Sequence, residues 1–98
     1  MGEGKTEVTI ISRDITRTWP RMNEMHYEVI VTYSTKDLVP AIVTIDLYEH
    51  FGDKQEEAAK QIAARKGPLW EKYLAIEKET IRKDIELRKA YMPETYTI

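Results

Sequence analysis

Gly67 to Pro93 reads GPLWEKYLAIEKETIRKDIELRKAYMP, the longest uninterrupted helical pattern in the chain. Its apolar residues fall on two stripes rather than one. At about 100° per residue, Leu69, Tyr73, Ile76, Leu87 and Tyr91 share one line. Trp70, Leu74, Ile81, Ile85 and Met92 share a second, about a quarter turn away. Glu77, Thr80, Asp84 and Arg88 lie at the boundary and form a thin polar seam. The far side carries Glu71, Lys72, Lys78, Glu79, Arg82, Lys83, Glu86 and Lys89. The apolar arc approaches half the circumference, wider than one flat partner usually takes. Pro68 suits a first helical turn, and Pro93 stops the helix beyond about Tyr91. Glu79 with Lys83, and Asp84 with Arg88, are acid-first pairs one turn apart and belong to a solvated face.

Upstream, Asp53 is a good N-cap, and Glu56 completes a capping box with it. The helix that follows is weakly amphipathic through Ala58, Ala59, Ile62 and Ala63. It ends near Lys66, with Gly67 as the expected C-cap. The helical half is thus residues 53–92 and the strand-rich half 6–48, within a single domain spanning 1–98. From Thr6 to about Trp19 the pattern has period two. Val8 and Ile10 occupy one face, while Ile11, Ile15 and Trp19 occupy the other. The switch near Ser12 points to a β-bulge or a sharp bend there, since one extra residue flips every later side chain. Pro20 to Met25 reads as a connection. His26 to Ser34 sets Tyr27, Val29, Val31 and Tyr33 against Glu28, Ile30 and Thr32. Pro40 to Tyr48 sets Ala41, Val43, Ile45 and Leu47 against Ile42, Thr44, Asp46 and Tyr48. Short connections make an antiparallel meander. The expected fold is α+β, in the order β-β-β-α-α, with both helices on one face. Thr95 to Ile98 is β-favouring and is read either as a short fourth strand at a sheet edge, in cis or on a neighbour, or as a frayed terminus.

Dimensions turn this pattern into an expectation about assembly. Three strands at about 4.8 Å spacing make a sheet about 14 Å wide. Two helices side by side need nearly ~20 Å. One stripe of the long helix is therefore expected to pack on the chain's own sheet. The other, Trp70, Leu74, Ile81, Ile85 and Met92, is expected to pack on a second copy, as a two-fold dimer. In the competing arrangement the first helix covers that stripe within a monomer.

Composition excludes several classes. With 15 basic and 17 acidic residues the net charge of -2 speaks against general nucleic-acid or membrane-surface binding. There is no Cys, hence no disulfide framework, thiolate metal site or thiol nucleophile. No apolar run approaches the roughly 18 residues of a membrane span, and no signal-peptide core is recognisable. A cytoplasmic location is the expectation.

Few residues carry chemistry. Gly4-Lys5-Thr6 ends like a phosphate-binding loop but lacks the first glycine and a preceding strand. Asp46, Glu49, His50 and Asp53 gather ligand-type side chains, with His26 available only from another strand, at no recognised ligand spacing. Ser12 and Ser34 lie outside any nucleophile-elbow context. No catalytic residue, cofactor or metal is assigned, and the chain is read as non-enzymatic. Arg13, Arg17, Trp19 and Arg21 are the candidate binding set, because odd positions of a strand share a face. Arginine beside an aromatic ring serves both interface hot spots and base stacking. In the plainer alternative, Ile15 and Trp19 are core and the arginines pair with Asp14, Glu24 or Glu28.

Lys, Glu, Arg, Ile and Tyr abound, Asn occurs once (Asn23) and Gln twice (Gln55, Gln61). This composition resembles that of small uncharacterised proteins of hyperthermophilic archaea and their viruses. The resemblance covers no motif. It implies a thermostable accessory or host-interaction protein, in the host cytoplasm if viral. The expected function is self-association plus presentation of the Arg/Trp hairpin to a partner. The alternative is nucleic-acid binding through the same hairpin.

Overall fold

The computed structural model describes residues 7–36 and 38–90. β1 (Val8–Arg21), β2 (Glu24–Thr35) and β3 (Ala41–Asp46) form an antiparallel sheet in the order β1-β2-β3. There follow α1 (Leu47–Phe51), a 3-10 turn (Gly52–Lys54), α2 (Gln55–Ala64) and the long α3 (Pro68–Ala90). The α+β meander with helices on one face holds. Alternation decides the buried face: Val29, Val31 and Tyr33 of β2 and Val43 and Ile45 of β3 are buried. They meet Leu47, Ala58, Ala59 and Ile62, then Trp70, Tyr73, Ile81 and Ile85. Each large aliphatic side chain so covered contributes about 1.5–3 kcal/mol relative to exposure.

The bulge near Ser12 is present. Ile10 lies opposite Tyr33 and Ser12 opposite Thr32, so Ile11 is the extra residue. Ile11 is left exposed, while Ile10 and Ile15 on either side both pack against the core. The expected connection from Pro20 to Met25 shrinks to Met22 and Asn23, because β1 continues to Arg21 and β2 begins at Glu24. Pro20 is tolerated there because β1 is an edge strand and the register shifts between Thr18 and Arg21.

Three local expectations are corrected. β3 ends at Asp46, and Tyr48 is helical, because the Asp46 carboxylate accepts the Tyr48 N–H and starts α1. Asp53 then falls inside the 3-10 turn. The Asp53–Glu56 capping box does not form, and α2 follows Lys54 with no side-chain cap. The left-handed C-cap of α2 is Arg65 (φ 59°, ψ 42°), not Gly67. Gly67 has another task. At φ 110° its missing Cβ leaves room for the Gln61 side chain, whose Oε1 would otherwise lie 2.3 Å from it. That same oxygen accepts the Leu69 N–H at 2.7 Å and caps α3.

The two stripes of α3 also resolve differently from the expectation. The polar seam faces the sheet, and the stripes straddle it. Glu77 is only 3% exposed, and Asp84 accepts the Tyr33 hydroxyl proton. Arg88 donates to the Val39 carbonyl at 2.8 Å, so the expected Asp84–Arg88 pair gives way to contacts with the sheet side. Trp70, Ile81 and Ile85, assigned to a second copy, are buried by the chain itself and Leu74 is half-buried. A three-stranded sheet is narrower than two helices side by side, but the seam of α3 is turned towards the sheet rather than standing beside a second copy. Glu77 and Asp84 are paired across the interface, so Tyr73 of one stripe and Trp70, Ile81 and Ile85 of the other are buried on either side of the seam, while Leu87 stays exposed. Met92, Thr95 to Ile98 and Gly4-Lys5-Thr6 lie outside the described residues.

Candidate functional site

β1 carries all four candidate binding residues, and the fold separates them. Arg13 faces α3. Its Nε and terminal nitrogen donate to the two Glu77 carboxylate oxygens at 2.7 and 2.8 Å. The Tyr73 hydroxyl donates to the same carboxylate at 2.8 Å. The Arg13 guanidinium also lies 5.1 Å from the Trp70 ring centre. Glu77 holds the Arg13 proton more tightly than usual, and burial followed by the Glu77 contact pushes the Tyr73 phenol well above its ordinary range. No buried side-chain polar atom of this group lacks a partner, so Arg13 is tied into the fold rather than presented to a partner.

Arg17, Trp19 and Arg21 are exposed, and they lie where the helical layer ends. β3 pairs with β2 only from Glu28 to Tyr33, so Glu24–Tyr27 has no partner in β3. The outer part of the β1–β2 hairpin is a two-stranded ribbon extending past β3. Trp19 on it is 59% exposed and Met22 at its turn 90% exposed. Arg21 lies 3.8 Å from Glu24. The expectation that Trp19 is core is thus corrected.

A bare two-stranded ribbon is marginal in water, and two side-chain devices hold this one. Gln55, at the start of α2, stands in for a missing strand: its Oε1 accepts the Tyr27 N–H at 2.8 Å and its Nε2 donates to the Met25 carbonyl at 2.9 Å. On the other face His26 reaches Asp46 and Glu24, and its ring stacks on Tyr48 at 4.4 Å. Both carboxylates, Glu24 first, raise the His26 pKa above its usual value. Neither tether is readable from spacing, since Gln55 is remote from the ribbon in sequence and Asp46 reads as a strand residue. The His26–Asp46 pairing had no register signal either, because the β2 residue opposite Asp46 is Glu28.

The other groupings do not assemble. Asp46 is occupied by His26 and the α1 cap, whereas Glu49, His50 and Asp53 are exposed. Among the described residues no group of three His, Asp or Glu is placed to hold a metal ion. A groove of about 660 Å³ runs between β1 and α3, walled by Ile10, Leu74, Ile81 and Ile85 and edged by Lys78 and Lys89. Among the described residues no helix is long and apolar enough to cross a membrane. No protein-family model matches the chain, and no curated protein or solved structure shows detectable similarity to it.

Proposed function

We propose that this chain is a non-enzymatic interaction module whose working part is the hairpin tip. The observation that carries the reading is the exposure of Trp19 and Met22 on a ribbon that runs beyond β3. An exposed tryptophan costs solubility and adds nothing to this core. With Met22 and Arg21 next to it at the tip, it has the make-up of an interface hot spot. In register Arg17 pairs with Tyr27 and Arg21 with Glu24, so the two arginines lie on opposite faces of the ribbon. The fitting partner is a protein with an apolar socket and an acidic rim. Retention of a partner from an extract of the source cells tests this. The wild-type chain should retain it, and Trp19→Ala and Arg21→Glu should each lose it; retention unaffected by both variants refutes the reading.

Self-association stays within the proposal, but on different surface. With Trp70, Ile81 and Ile85 covered by the chain itself, the described side chain of that stripe still open to a second copy is the half-buried Leu74 in the groove wall. Gel filtration with light scattering decides it, and a clean 11.5 kDa species at micromolar concentration removes the homodimer. The nucleic-acid alternative now rests on Arg17, Trp19 and Arg21, since Arg13 is neutralised by Glu77. A salt titration with single- and double-stranded DNA tests it, and no binding at about 50 mM salt ends it. The origin in a hyperthermophilic archaeon or its virus, and a host-cytoplasm setting, belong to the same proposal and rest on composition.

A further inference from the structure

His26 is gripped on both ring nitrogens by carboxylates. Nδ1 lies 2.8 Å from Asp46 Oδ2, and Nε2 lies 2.6 Å from Glu24 Oε2. A neutral imidazole has one N–H and one lone pair. Whichever nitrogen loses its proton then points a lone pair at a carboxylate oxygen within hydrogen-bond distance. Only the doubly protonated ring satisfies both partners. We infer that Glu24, His26 and Asp46 form a proton-operated clasp: closed while His26 is charged, it links Glu24 at the hairpin tip through the ring to Asp46 at the start of α1, and the Glu24 side lets go when the ring is neutral.

The surroundings determine which side releases. From β2, Glu24 faces the ring, and Glu28 lies two residues along on the same strand face. From β3 comes Asp46, from α1 the stacked Tyr48, and from β1 Thr18, directly opposite His26 in register. Arg21 lies beyond Glu24 at 3.8 Å. Asp46 is fixed, since its second oxygen accepts the Tyr48 N–H at 2.9 Å. Glu24 is fixed only by His26 and has Arg21 as an alternative partner. Deprotonation therefore takes the Nε2 proton. Nδ1–H stays on Asp46, and Glu24 swings to Arg21. The tip then changes in two ways: it loses one tether, and Arg21 becomes neutralised. The clasp acts on the tip whether or not a partner is bound.

The test is an NMR titration of the labelled full chain from about pH 5 to 9. His50, the other of the two histidines and an exposed one, is the internal reference. The His26 ring should titrate at higher pH than His50, with its last proton on Nδ1. The Arg21–Glu24 amides should move with the His26 midpoint rather than with that of His50. Glu24→Gln should lower the His26 midpoint and abolish the tip response while leaving the core amides in place. His26→Gln should abolish the response as well; if that variant does not fold, the Glu24→Gln comparison still decides. A His26 midpoint at or below that of His50, or tip amides that ignore it, overturns the clasp.

Discussion

Arg13 and Arg21 lie on the same strand, and their fates are opposite. Arg13 is clamped by Glu77, covered by Trp70 and sealed by Tyr73. Arg21 stands in solvent with only a loose approach to Glu24. Residue type and strand position do not distinguish them. What distinguishes them is the element above: α3 crosses the sheet at Arg13 and nothing crosses it at Arg21. A charge beneath a helix must be paired to be tolerated. A charge on a free ribbon is available to a partner. The two ends of β1 therefore divide the molecule into a sealed half and a presenting half.

Glu77→Ala should sharpen this comparison most. It leaves the Arg13 guanidinium buried beside an apolar wall, at a cost of about 3–5 kcal/mol. Urea denaturation should show that loss, and Arg13→Met added to Glu77→Leu should recover most of it. A loss below about 1 kcal/mol means that the pair lies in solvent. Gly67→Ala comes next. Its Cβ would displace the Gln61 cap, and φ 110° suits no L side chain, so about 1–3 kcal/mol should be lost.

How much of this was legible follows from the physics of each region. Alternation in β2 and β3 predicted the buried face because a strand with one wet side must alternate. The Ile10-Ile11-Ser12 phase change gave the bulge for the same reason. The stripes of α3 were visible, but their use was not. A seam containing Glu77 and Asp84 reads as solvent-facing until Arg13 and Tyr33 are known to lie across from it, and those partners are remote in sequence. Of the candidate site, Trp19 and its arginines were visible as a set. Which of them the helices cover depends on where β3 stops, and that is set by the Asp46 cap on α1 rather than by any strand signal.

Smaller effects belong to the presenting half. Gln55→Ala removes both contacts to the ribbon edge. It should cost about 1 kcal/mol and speed hydrogen exchange at the Tyr27 amide while leaving core amides protected. Stability should also depend on pH through His26. Its pKa is raised in the folded chain, so its contribution is fully present below about pH 6.5, the ordinary histidine value, and is lost as pH rises through the folded value. Thermal melts across that window should show the decline in the wild type and not in His26→Gln. Trp19→Ala should shift stability by no more than about 0.5 kcal/mol, because nothing in the core rests on it.

The two tryptophans report on both halves at once. Acrylamide quenching of the single-tryptophan chains Trp19→Phe and Trp70→Phe measures how far water and solute reach each ring. The ring left in Trp19→Phe, Trp70 at 9% exposure, should emit in the blue and resist quenching, while the ring left in Trp70→Phe, Trp19 at 59%, should emit in the red and be quenched readily. Equal quenching of the two, or the reverse order, would contradict the division into a sealed half and a presenting half.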